Sequence, residues 1–235
     1  MLGVVRRDGA FAKEVILDEA MVRVLPEGLS YEEGAMVEPV VIAERTVARA
    51  EIKTGETVAV LGAGNIGLLL LQVARLAGAG KVLVSDVLEY RLELARRLGA
   101  DFTVNVSQRD LVEAAREVGR CEVVIDGVGN RQNISQSIQM CKPGGRVVVY
   151  GVPPQGELAL PVLEAFRKDL SLQVSRLYPR SFEAGFALLQ SGKLQLDPVI
   201  TTRVPLTEAP AAIRDLCDRK GEMIKIMIDP QVGAI

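Results

Sequence analysis

The sequence predicts a doubly wound α/β domain around a parallel sheet, and three observations predict it. From Thr57 onward, short β-branched runs alternate with segments whose apolar residues recur at helical spacing. The strand-like runs are apolar throughout rather than alternating, as expected of strands covered on both faces. Glycines stand just past helical segments and at strand ends, where the chain must turn.

In order, "TVAVLG" (57–62) is a buried strand and "NIGLLLLQVARLAGAG" (65–80) a helix stopped by glycines. "KVLVSD" (81–86) is the second strand. "EYRLELARRLGA" (89–100) is a helix with Leu92, Ala95 and Leu98 on one face. "FTVNV" (102–106) is a short third strand and "DLVEAAREVG" (110–119) a helix. "CEVVID" (121–126) is a strand, followed by a helical stretch near 133–141, a turn at "KPGG" (142–145) and the strand "RVVVYG" (146–151). After "VPPQGE" come the strand "LSLQVS" (170–175) and a helix (181–191). Then "VITTRVPL" (199–206), a helix (207–219) and "EMIKIMID" (222–229) read as strand, helix and strand of a separate small unit. Residues 1–41, with "AFAKEVIL" and "MVRVLPEGLS", read as β-like and turn-rich and stand outside the alternating scheme.

Of the 235 residues, 49% are hydrophobic and 25% charged, which suits a packed core. The net charge of −2, 4% aromatics and the absence of tryptophan argue against nucleic acid and anionic membranes as partners. No apolar run approaches the roughly 20 residues of a membrane span. Cys121, Cys141 and Cys217 are far apart and form no CxxC pair, so the expectation is reduced thiols in a cytoplasmic protein. Arg6-Arg7 is not followed by the apolar stretch of a signal sequence.

"VAVLGAGNIG" sets Gly62, Gly64 and Gly67 in G-x-G-x-x-G spacing between a strand and a helix. The first glycine permits the tight turn, the second lets backbone approach a pyrophosphate, and the third lets helix and strand pack closely. The helix start then offers free N–H groups to an anion. Asp86 lies 86 − 67 = 19 positions past Gly67, at the end of the next strand. That is the spacing of a carboxylate binding the adenosine ribose diol, and its charge repels a 2′-phosphate, so NAD is expected over NADP. Arg91 is either a helix-surface charge or a group lying over the adenine and ribose. "DGVGN" (126–130) and "YGVPP" (150–154) carry glycines at strand ends, where a ligand can lie against backbone. In "GAMVEPVV" (34–41), Glu38 is a carboxylate in an apolar run, costly to bury unless something pairs with it. A metal would be one answer, but the chain has no histidine.

"LGAGNIG", "SDVLEYRLELARRLGAD", "KPGGRVVVYG" and "VITTRVPLTEAPAAI" resemble the zinc-dependent medium-chain dehydrogenases, nearest the sorbitol-like polyol and threonine branches. "DGAFAKEVILDEAMVRVLPEGLSYEEGAMVEP" resembles the stretch leading from that family's catalytic domain into its nucleotide domain, and the resemblance is collinear over almost the whole chain. It implies a Rossmann NAD-binding domain over 42–177, remnants of a GroES-like β domain at 1–41, and a segment returning to that domain at 178–235. It implies pyrophosphate contacts from Gly62, Gly64, Ile66 and Gly67, adenosine contacts from Asp86 and Arg91, and nicotinamide-side contacts from Tyr150, Gly151 and Val152. Gly129, in the preceding crevice loop, joins this set. Glu38 matches the acidic residue beside or on the catalytic zinc, and Tyr178 a substrate-pocket tyrosine. Leu177, Thr202, Glu44 and Arg45 depart from the family pattern.

The resemblance implies hydride transfer between NAD and a secondary alcohol or polyol, aided by zinc. It also places the family's other zinc ligands ahead of Met1, so Glu38 cannot complete a catalytic site that needs about three protein ligands. No tyrosine has a lysine four residues later, so the Tyr-x-x-x-Lys alternative is missing too. Three readings stay open: a dehydrogenase completed by a partner chain, a non-catalytic NAD-binding sensor or assembly module, and a relic or mis-started form of a longer dehydrogenase. The apolar, proline-free strand 170–175 is expected at the sheet edge, open to pairing with another chain, and the resemblance implies that it joins two copies as a homodimer.

Overall fold

The computed structural model describes residues 9–153, 157, 159–176 and 182–232. They form two compact units, one from Ala35 to Gln195 and one from the residues up to Gly34 with those from Leu196 onward.

The larger unit is a six-stranded sheet in which β1 (Thr57–Leu61), β2 (Lys81–Asp86), β3 (Phe102–Asn105), β4 (Cys121–Asp126), β5 (Cys141–Val149) and β6 (Ser171–Val174) are all parallel. The order β3-β2-β1-β4-β5-β6 reverses direction between β1 and β4, which makes that junction the switch point of a Rossmann-type sheet. The helices of this unit are α1 (Tyr31–Ala50, beginning just ahead of it), α2 (Asn65–Leu76), α3 (Glu89–Arg97), α4 (Leu111–Val118), α5 (Arg131–Met140), α6 (Val162–Arg167) and α7 (Glu183–Gln190).

β1 is buried along its whole length, as its unbroken apolar sequence requires. Ala59 and Leu61 of β1, Leu83 of β2, Val124 of β4 and Val147 of β5 share one core cluster with Leu111, Ala114 and Ala115 of α4. The ends of α4 are set by sequence: Asp110 accepts the Glu113 N–H at 2.8 Å, and Gly119 takes the left-handed conformation at φ 102°. Cys121 and Cys141 are register partners in this core. Burial pushes the first thiol up to about 12 and the second to about 11, so both are poor nucleophiles at neutral pH.

The smaller unit carries β7 (Ile200–Pro205) and β8 (Lys225–Asp229), paired in parallel and joined through α8 (Ala209–Cys217). Arg203 of β7 makes a forked pair with Glu32, its Nε 2.6 Å and its Nη2 2.8 Å from the carboxylate oxygens.

Three sequence expectations need correction. The β-like character expected of residues 1–41 is not found among residues 9–41: a single 3₁₀ turn spans Glu19–Met21, and α1 takes over at Tyr31. The helix starts there because Ser30 and Glu33 form a reciprocal capping box: the Ser30 N–H donates to Glu33 Oε2 at 2.8 Å and the Glu33 N–H donates to Ser30 Oγ at 3.2 Å. "KPGG" is no free turn but lies within β5, as an irregularity where the β4 register shifts between Cys121 and Val123. The helix α6, ahead of β6, has no counterpart in the sequence reading. Among the described residues no helix is long and apolar enough to cross a membrane.

Candidate functional site

The crevice lies at the carboxyl ends of β1, β2, β4 and β5. Gly62 follows β1 in the left-handed region, at φ 100°, with its N–H donated to the Ser85 carbonyl at 2.8 Å. The chain then rises to Gly64, which caps α2 without any side-chain hydrogen bond, so the first-turn amides remain available to an anion. Ile66 is half-buried in that first turn. A Cβ on Gly67 would lie 1.8 Å from the Gly62 carbonyl oxygen, so helix and turn touch backbone to backbone. A Cβ on Gly64 would meet nothing within 4 Å, leaving an open approach. These are the three separate duties a phosphate turn asks of its glycines.

Asp86 ends β2 beside this turn and is 9% exposed. Its Oδ2 accepts the Ala63 N–H at 2.8 Å and its Oδ1 the Leu88 N–H at 3.0 Å. A carboxylate has about four acceptor positions, so two donors leave capacity for hydroxyl groups. Arg91 Nη1 stands 3.7 Å from Asp86 Oδ2. Its Nε donates to Tyr90 Oη at 3.2 Å, and its guanidinium lies 5.7 Å from the centre of the Tyr90 ring. The structure therefore brings Gly62, Gly64, Ile66, Gly67, Asp86 and Arg91 together.

The other side of the switch point is built by the loops after β4 and β5. Asp126 is fully buried at the end of β4, opposite Leu61 in register. Its Oδ1 accepts the N–H groups of Val128 at 2.8 Å and Gly129 at 3.2 Å. The Tyr150 and Gly151 N–H groups both donate to the Asp126 carbonyl, at 2.9 and 3.1 Å. A Cβ on Gly127 would fall 2.1 Å from Tyr150 Oη, and one on Gly129 2.5 Å from the Gly151 carbonyl oxygen. Gly127, Gly129, Tyr150 and Gly151 thus form one close-packed wall, with the Val152 side chain 86% exposed beside it. Burial, and secondarily the Asp126 charge, push the Tyr150 phenol well up. Sequence reasoning singled out the "DGVGN" loop without Asp126 or Gly127. The signal for Asp126 was present, since it ends an apolar strand just as Asp86 does.

Glu38 is not the buried carboxylate that its apolar run suggested. It lies on the exposed side of α1, while Met36, Pro39 and Val40 are buried, because the run is helical and alternate residues do not share its environment. Tyr178 and Leu177 lie outside the described residues. No group of three His, Cys, Asp or Glu side chains among the described residues is arranged to hold a metal.

A family model described as zinc-binding dehydrogenase matches residues 65–191. The chain is similar to the sorbitol dehydrogenase of Bacillus subtilis (strain 168), with 27% identity over 95% of this chain and 64% of that protein. It spans 58–64% of the length of the first curated relatives it matches. Among solved structures, a protein of Sinorhizobium meliloti 1021 assigned as a zinc-binding dehydrogenase and bound to NADP superposes with a TM-score of 0.89. Its identity is 35%, and the match covers 96% of this chain and 67% of that one. A short chain alcohol dehydrogenase of Escherichia coli CFT073, complexed with NADH, gives a TM-score of 0.87 at 26% identity, over 95% of this chain and 66% of that one. With the switch-point crevice, the glycine turn and a family match over more than half its residues, the chain belongs to the zinc-dependent medium-chain dehydrogenases.

Proposed function

We propose that this chain is the nicotinamide-dinucleotide-binding part of an oxidoreductase acting on a secondary alcohol or polyol. The observation that carries the reading is the Gly62–Gly67 turn: closed to any side chain at Gly67, open at Gly64, and continued by an uncapped helix start. In this reading Gly62, Gly64, Ile66 and Gly67 hold the pyrophosphate, Asp86 accepts from the adenosine ribose, and Arg91 covers the adenosine. Gly129, Tyr150, Gly151 and Val152 shape the wall on which the nicotinamide half rests. When bound, the cofactor supplies or accepts the hydride. The chain's own residues orient it and exclude water. The polyol class is suggested by the sorbitol dehydrogenase relative.

The residues present do not fit a catalytic zinc. It takes about three protein ligands. The chain has no histidine, Cys121 and Cys141 are core thiols, and Cys217 lies on α8. Glu38 is proposed as a substrate- or metal-side carboxylate only.

NAD is the favoured cofactor. Two like charges about 4 Å apart repel by about 4 kcal/mol at an effective dielectric near 20, and Arg91 offsets part of that for a 2′-phosphate near Asp86. Calorimetric titration is expected to show NAD binding at least about tenfold more tightly than NADP, with Asp86→Asn narrowing the gap. NADP binding as tightly as NAD to the wild-type protein would overturn the choice.

The reading extends to a homodimer joined along β6. This is the outermost strand, with Leu172 43% and Val174 67% exposed. Sedimentation is expected to show a dimer that Val174→Lys weakens. A wild-type monomer at tens of micromolar would remove this part of the reading.

A further inference from the structure

Two carboxylates are buried among the described residues, Asp86 and Asp126, and both end strands at the crevice. Asp86 has a donor on each oxygen. Asp126 does not: Val128 and Gly129 both donate to Oδ1, and Oδ2 is enclosed with no hydrogen-bond partner among the described residues. An enclosed carboxylate oxygen without a donor is disfavoured in its anionic form, and protonation relieves that. Burial accordingly raises the Asp126 pKa from its ordinary value, with the two N–H donors opposing it only in part. Among the described residues, no cationic side chain is found to offset its charge. Leu61 of β1 and Val149 of β5 are its register partners, Gly127 follows it, and the titratable group coupled to it is the Tyr150 phenol.

This inference rests on the dinucleotide reading above. With the adenosine half at Asp86 on the β2 side, the other half of the ligand must cross the switch point toward β4 and β5. The nicotinamide ring is cationic when oxidised and uncharged when reduced. We propose that Asp126 is a proton-releasing residue of this site: toward acid pH its carboxyl carries a proton in the free protein, gives it to solvent when the oxidised ring settles over β4 and β5, and keeps it when the reduced ring binds. A cation nearby favours the carboxylate, and the low dielectric of the enclosed site strengthens that coupling. The sign follows: affinity for the oxidised cofactor rises with pH across the Asp126 titration, by up to about tenfold per pH unit, while affinity for the reduced cofactor stays flat.

The test is calorimetric titration of NAD and NADH across the acid-to-neutral range, in buffers of differing protonation enthalpy. It is paired with infrared difference spectra of the wild-type protein. The expected result is release of up to about one proton per NAD, none per NADH, and loss of a protonated-carboxyl band on adding NAD. Asp126→Asn should bind NAD without releasing a proton, and Tyr150→Phe should still release it. NAD binding without release or band loss, or unchanged release in Asp126→Asn, would overturn the inference. Should Asp126→Asn fail to fold, the wild-type infrared band decides. If neither nucleotide binds, the dinucleotide reading itself is what has failed.

Discussion

A Gly67→Ala protein is expected to lose about 3 kcal/mol of stability or more, a fall in Tm of about 6–12 °C for a chain of this size. Two effects compete. Inside an exposed helix, alanine is favoured over glycine by about 1 kcal/mol, so propensity alone predicts a gain. Packing predicts the reverse, because the new methyl would sit 1.8 Å from the Gly62 carbonyl oxygen and 2.9 Å from its carbon. That neighbour is backbone and has no rotamer to change. It is also tied down, since the Gly62 N–H is bonded to Ser85 and its φ of 100° lies where alanine-like residues are strained. Relief therefore requires α2 to move away from β1, which breaks buried contacts of Leu68 through Leu71. Thermal unfolding followed by circular dichroism reads the outcome, and an unchanged or raised Tm would show that helix and turn do not touch as described.

Gly64→Ala is expected to do the opposite: to keep the fold and lose the ligand. Gly64 has φ −74° and ψ −173°, an ordinary extended conformation, and its Cβ position is open. Stability should change by no more than about 0.5 kcal/mol. The methyl, however, would occupy the approach by which a pyrophosphate reaches the α2 amides, and affinity for a nicotinamide dinucleotide should fall at least about tenfold. The two alanines, three residues apart, thus separate architecture from binding. Affinity unchanged in a well-folded Gly64→Ala protein would mean that no phosphate sits on this turn.

The sheet was legible because its strands are continuous apolar runs, and runs such as "TVAVL" and "KVLVSD" leave no alternative face to choose. The glycine turn was legible because its spacing and its strand–helix setting are both local. The helix α1 was not read, although Ser30 and Glu33 spelled its start. Gly34 and Pro39 weigh against a helix locally, and the burial of Met36, Val40 and Val47 outweighs them. That error also explains Glu38, whose place depends on helical rather than extended geometry. The short helix α6 has no side-chain cap to announce it. The position of Asp126 on a strand end was readable, but its lone unsatisfied oxygen was not. That depends on how the loop after β4 folds back, with the Val128 and Gly129 N–H groups both on Oδ1.

The most direct test of a working dinucleotide site is a titration of NADH into the purified wild-type protein, following the cofactor's own fluorescence. The chain has no tryptophan, so that emission stands clear of the protein's own. Saturable binding with Kd below about 1 mM, lost or weakened at least about tenfold in Gly64→Ala, is the predicted result. No saturation at millimolar NADH would contradict the account and leave the Gly62–Gly67 turn as inherited architecture alone.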